Sequence, residues 1–147
     1  MNIILDSNIL MSILIKKSGK TFKQFQSLSL KHSFYIHYAT IEEILKHHKK
    51  LLKASKLSEN EFEIFESEVL NRVTIIQYNE IPTKIQDLSF LLVADIDEDD
   101  SAFVAASIYL SAILWSGDKP LYSGLHAKGF TNIFDATDID KLLEENK

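Results

Sequence analysis

Residues 97–118 read DEDDSAFVAASIYLSAILWSGD, and this stretch decides the fold. It opens on four acids (Asp97, Glu98, Asp99 and Asp100), continues through small and apolar residues at helical spacing, passes an apolar strand at 112–115 and ends on Asp118. A helix running straight into a strand is half of a βαβ unit. Carboxylates at both ends of that unit matter for chemistry. If other acids reach the same sheet edge, the product is a pocket of negative charge without a built-in counterion, and such oxygen donors suit a hard divalent cation.

Upstream, residues 2–5 (NIIL) are apolar without polar alternation, which predicts a strand buried on both faces and central in a parallel sheet. Asp6 ends that strand. Ser7 and Asn8 then offer N-cap chemistry for a helix carrying Ile9, Leu10, Ile13 and Leu14. Gly19 interrupts the pattern before Phe22, Phe25 and Leu28 resume it, and a strand is expected at 34–37. Thr40 is expected to cap a helix with Ile41, Ile44, Leu45, His48, Leu51 and Leu52 along one side. Thr40 and Glu43 also have the spacing of a capping box. Ser58 opens a further helix, 73–77 reads as a strand, and Pro82 stands at the start of a helix where proline is tolerated.

Downstream, Pro120 suits the first turn of a helix over 119–128, 132–134 reads as a short last strand, and 139–143 as a C-terminal helical turn or two. Strands alternating with helices predict an α/β fold, a three-layer α/β/α sandwich with a mostly parallel central sheet and right-handed crossovers. Sites in such sheets lie beyond the carboxyl ends of the strands. Asp6 and Asp118 both follow strands and point to that edge.

Composition bounds the alternatives. At 147 residues, 46% hydrophobic and 25% charged, the chain is expected to form a single domain over 1–147 with a sizeable core. The absence of cysteine excludes disulfides and thiolate metal sites. The N-terminus MNIILDSN has no basic leader and no apolar run approaches the roughly 18 residues that span a bilayer, so a soluble, cytoplasmic protein without membrane contact is expected. The net charge of −5 divides into +7 over residues 1–56 and −12 over 57–147, and the basic part could attract a polyanion. Neither GxxxxGK[ST] nor GxGxxG occurs, which disfavours nucleotide phosphate cradles. An aspartate-nucleophile phosphatase wants a second Asp where Asn8 stands, and a receiver domain wants an acidic pair after the first strand.

Four ordered pieces remain: LDSNIL at 5–10, TIEEIL at 40–45, DDSAFVAAS at 99–107 and LWSGD at 114–118. Together they resemble a PIN domain, closest by eye to the subgroup with a W-[ST]-G-D fourth motif, of which the VapC-like toxins are the best-known bacterial members. The resemblance implies a Mg²⁺- or Mn²⁺-dependent ribonuclease. It assigns Asp6, Glu43, Asp100 and Asp118 as catalytic metal ligands, with Glu42 the alternative to Glu43. Asn8, Asp99 and Ser116 would support them, Asp99 also as a helix N-cap, and a fifth acid would come from Asp135 or Asp138. It further implies an RNA substrate, an antitoxin protein as partner and a homodimer.

Each acid taken alone has an ordinary structural explanation: a helix cap for Asp6, a capping box for Glu43, a solvated loop for 97–100 and a turn for Asp118. Their joint order favours one shared site. The five histidines show no ligand spacing. Lys46, Lys49, Lys50, Lys53 and Lys56 extend the helix of Glu43, either as a solvated face or as sequence-independent phosphate contacts. Phe103, Tyr109 and Trp115 read as core, and Tyr38 stays open between core and base stacking. The competing reading is a PIN-like module without turnover, binding in a protein or RNA complex.

Overall fold

The computed structural model describes residues 1–146, so Lys147 at the end of the expected 1–147 domain lies outside the described residues. In chain order the elements are β1 (Asn2–Leu5), α1 (Ser7–Ile15), α2 (Lys20–Leu28), β2 (Ser33–His37), α3 (Tyr38–Lys46), α4 (His48–Ser55), α5 (Glu59–Leu70), β3 (Val73–Ile76), α6 (Thr83–Val93), α7 (Ser101–Leu110), β4 (Ile113–Trp115), α8 (Lys119–Ala127), β5 (Ile133–Phe134) and α9 (Ala136–Glu145). Short 3₁₀ turns precede α6 at Tyr78–Glu80 and α7 at Glu98–Asp100. The α/β expectation holds, and the sheet is parallel throughout, in the order β3-β2-β1-β4-β5.

β1 is central because, after the partly buried Asn2 at its start, it is wholly apolar. Ile3, Ile4 and Leu5 are fully buried, and alternation sends Ile3 and Leu5 to one core and Ile4 to the other. The first core joins α1, α2, α5 and α9 around Phe25, Phe62, Phe65 and Trp115. The second lies under α7 and α8, where Val104, Ala105 and Ala106 meet Leu114, Leu121 and Leu125. Small side chains on α7 let its backbone approach β1 closely. Ser111, left-handed at φ 50, then ends the helix, while Ser107 Oγ donates to the Ala112 carbonyl at 2.6 Å and pins the turn into β4. The helix-strand unit of residues 97–118 is therefore short and rigid. Among the described residues no helix is long and apolar enough to cross a membrane.

Two helix expectations are corrected. Thr40 does not cap α3 and forms no capping box with Glu43. The helix begins at Tyr38, His37 accepts the Ala39 N–H at its N-terminus, and Thr40 lies inside the helix with its Oγ1 3.1 Å from Ser7 Oγ in a buried contact. The helix also breaks at His47, and the redirected α4 brings Leu51 into the first core. The Ser58 cap is present, as a reciprocal capping box with Glu61.

Candidate active site

Along the carboxyl edge of the sheet, the strands hand over in spatial order to Gln77, Tyr38, Asp6, Ser116 and Asp135. The chain leaves β1 toward β2 on one side and returns to β4 on the other, so the crevice opens between β1 and β4. Asp6 and Ser116 flank it.

Asp6, 3% exposed, is itself the N-cap of α1. Its carboxylate accepts the Ile9 N–H at 2.8 Å, and its own N–H donates to the Trp115 carbonyl at 3.2 Å. The expected Ser7 or Asn8 cap gives way because Asp6 already sits in the extended conformation a cap requires, Ser7 is buried against Thr40, and Asn8 is exposed. Burial pushes the Asp6 pKa up. Hydrogen bonds from Ser116 and Ile9 offset part of that rise, and the charge of Asp118 adds to it.

Ser116 is buried and does two things with one hydroxyl. Its Oγ accepts the Asp118 N–H at 3.1 Å, and the same hydroxyl offsets part of the rise that burial imposes on the Asp6 pKa. Asp118 in turn caps α8, accepting the Leu121 N–H at 2.9 Å, with Pro120 in the first turn. Both acids are thus fixed by local folding rules that operate without any ligand.

Asp100 differs. The expected cap at Asp99 is not found: Asp97 accepts the Asp99 N–H at 3.0 Å and organises the 3₁₀ turn, while Asp99 is exposed. Asp100 occupies the residue before α7, but its side chain caps nothing. Its Oδ2 is buried with no hydrogen-bond partner. An unpaired buried acceptor costs about 1–3 kcal/mol. Burial first, then the charges of Asp118, Asp97, Asp6 and Asp99, push the Asp100 pKa up to about 7. The structure therefore brings Asp6, Asp100 and Asp118 into one electrostatic neighbourhood.

Glu43 and Glu42 point to different partners. Glu43 pairs with His47 at 3.3 Å along the helix, one turn beyond the Thr40 contact that ties α3 to α1. Glu42 accepts the Tyr78 hydroxyl at 2.6 Å, and that bond leads the causes that push the phenol up to about 12. As placed, no three His, Asp or Glu side chains among the described residues form a ready-made cage for an ion. Glu43 is partly exposed and the Asp100 oxygen is uncommitted, so neither is locked into a competing buried bond. The donor set itself, carboxylates with one orphaned buried oxygen, fits a hard divalent cation.

Asp135 shows how a further acid joins. It ends β5 as Asp6 ends β1, caps α9 through a capping box with Asp138, and lines a cavity of about 200 Å³ with Ser116, Gly117 and Asp118. Asp138 is turned to the Tyr122 hydroxyl at 2.9 Å. Of the aromatics, Phe103 and Trp115 are core as expected, whereas Tyr109 is 40% exposed. Sequence reasoning missed Tyr78, whose 3₁₀ turn follows β3 at the same edge; its place directly after a strand was the available signal. The five lysines from Lys46 to Lys56 are all exposed.

A parallel sheet with carboxylates gathered at its switch point defines the class, and the sequence supplies the family. The PIN domain family profile matches residues 4–138, and the chain belongs to that family. No curated protein matches the chain individually. Among solved structures, it is similar to a chain of VapBC2 from Rickettsia felis, described as bound to a DNA fragment from their promoter, with 14% identity over 92% of this chain and 98% of that one at a TM-score of 0.62. It is likewise similar to PAE2754 from Pyrobaculum aerophilum, with 13% identity over 99% of this chain and 88% of that one at a TM-score of 0.63. At these identities the likeness carries the fold.

Proposed function

We propose that this protein is a Mg²⁺- or Mn²⁺-dependent endoribonuclease, the toxin of a toxin-antitoxin pair, working as one domain in the cytoplasm. The observation that carries the reading is the buried, unpartnered Asp100 oxygen beside Asp6 and Asp118. PIN domains are typically divalent-metal-dependent nucleases, and the VapBC2 likeness suggests an antitoxin partner. Asp6, Glu43, Asp100 and Asp118 would hold the cation, with Ser116 and Asp99 behind them and Asn8 at the rim. When bound, the cation supplies charge neutralisation at the scissile phosphate and a water acidified toward neutrality.

The chain's own residues do the rest. Ser116 offsets part of the rise that burial imposes on the Asp6 pKa, and its hydroxyl accepts the Asp118 N–H, which holds that backbone in the capping conformation. Asp100, whose pKa burial and the neighbouring carboxylates push up to about 7 without a cation, would give up its proton on ligating one, and its buried unpartnered oxygen is then matched by the positive charge. The exposed lysines of α3 and α4 offer contacts to the RNA backbone without reading its sequence.

The test is Mn²⁺-dependent cleavage of an RNA panel by the wild type, Asp6→Asn and Asp100→Asn. The wild type should cleave and both variants should not. Equal activity in all three would overturn the assignment and favour a binding module without turnover.

A further inference from the structure

Beside Asp100, on the β2 and β3 side of the edge, lies a second cavity of about 310 Å³, lined among others by His37, Tyr78, Gln86, Glu98, Asp99 and Ser101. Its wall is aromatic. Tyr78 is 51% exposed, its ring lies 4.5 Å from His37 in an edge arrangement, and Tyr38, 37% exposed, stands 6.4 Å away. These rings are not loose. The Tyr78 hydroxyl is held by Glu42 at 2.6 Å, and the buried His37 is fixed by the Ala39 N–H, so the platform is formed before anything binds.

The polar lining is lopsided. Gln86 spends its amide hydrogens on the Tyr78 and Ile81 carbonyls, at 3.2 and 2.7 Å, which leaves its Oε1 as an acceptor. Glu98 and Asp99 add carboxylate acceptors. Among nucleobases, adenine, guanine and cytosine carry an exocyclic amino group that donates to such acceptors, and uracil does not.

We infer that this cavity is a nucleobase subsite, which stacks one base of a single-stranded RNA on Tyr78 and selects an amino-bearing base over uracil through Gln86, Glu98 and Asp99. The inference rests on the RNA-cleaving reading above and places a base next to the proposed scissile position. Aromatic stacking supplies affinity for any base, and the acceptors supply the choice. Cytosine and uracil have the same size and differ at the position an acceptor reads, so they isolate the effect.

The experiment titrates the isotopically labelled full chain, in Mg²⁺, with cytidine, adenosine and uridine monophosphates, and follows backbone amide shifts. Saturable shifts at Gln86, Ser101 and Ala102 are expected with the cytidine and adenosine nucleotides. Binding of the uridine nucleotide should be roughly tenfold weaker, the loss of about one good hydrogen bond to a charged group. Tyr78→Ala should weaken all three by roughly fivefold or more, and Tyr78→Phe, which keeps the ring, should retain most of the binding. Glu98→Gln should narrow the cytidine-to-uridine ratio. Equal binding of cytidine and uridine nucleotides, shifts confined to other surfaces, or indifference to Tyr78→Ala would overturn the subsite. Because this readout needs no turnover, RNA cleavage that persists with unchanged base preference in Tyr78→Ala would sink the subsite alone, whereas nucleotide binding without cleavage would sink the nuclease reading alone.

Discussion

Asp118 and Asp6 meet at the single hydroxyl of Ser116, which accepts the Asp118 N–H at 3.1 Å and offsets part of the rise that burial imposes on the Asp6 pKa. Two acids from the ends of neighbouring strands are thereby held in fixed relation before any cation arrives, each also satisfied by a helix N-terminus. Asp100 comes from a different helix and has neither support. The energetic tension of the site is concentrated in that one side chain, and it can be measured.

Asp100 has a pKa near 7 in the fold against 3.8 for a free carboxyl, so the folded state holds its proton more tightly. The stabilising contribution is complete below about 3.8 and is lost as pH rises through about 7. Asp100→Asn should therefore raise the melting temperature in chelator by a few degrees near pH 8 and change it little near pH 4, at about 2–4 °C per kcal/mol for a chain of this size. A drop near pH 8, seen by calorimetry, would mean the carboxylate supports the α7 terminus after all.

The same proton competes with a cation. A ligating carboxylate must be ionised, so Mn²⁺ affinity should rise roughly tenfold between about pH 6 and pH 8, and the dependence should flatten in Asp100→Asn. Isothermal titration at the two pH values checks this. A pH-independent affinity in the wild type would show that Asp100 does not contribute to the site.

Much of this arrangement was legible in the sequence because its causes are local. An apolar strand ending in an acid, as at Asp6, specifies both the buried β1 and the capped α1. What the sequence hid were choices made by tertiary contact. Thr40 looked like a cap and is instead a buried partner of Ser7, a pairing between residues 33 apart that no local pattern reveals. Asp97 rather than Asp99 organises the turn before α7, since four consecutive acids give spacing no power to choose among them. Tyr78 became visible only when β3 was placed beside β2.

Ser116→Ala removes one hydroxyl and no charge. Asp6 loses a donor that offsets its burial, and the Asp118 backbone loses its acceptor, so a destabilisation of about 1–3 kcal/mol is expected. In a double-mutant cycle with Asp6→Asn the two losses should fall well short of additive, because the Ser116 bond to Asp6 is already weakened once the carboxylate is gone. Chemical denaturation of the four proteins gives the coupling. Strict additivity would indicate that the hydroxyl serves Asp118 alone.

The adjacent glutamates can be separated by giving each variant its own readout. Glu43→Gln should reduce Mn²⁺-dependent RNA cleavage by roughly a hundredfold or more, since several kcal/mol of transition-state stabilisation depend on an intact ligand set. Glu42→Gln removes the charge from the acceptor that the Tyr78 hydroxyl meets at 2.6 Å, and should lower that phenol from about 12 toward its ordinary value in a spectrophotometric titration. Cleavage in Glu42→Gln should fall far less. The two assignments exchange places if Glu42→Gln abolishes cleavage while Glu43→Gln retains it, for then Glu42 completes the carboxylate set, at the expense of its bond to Tyr78.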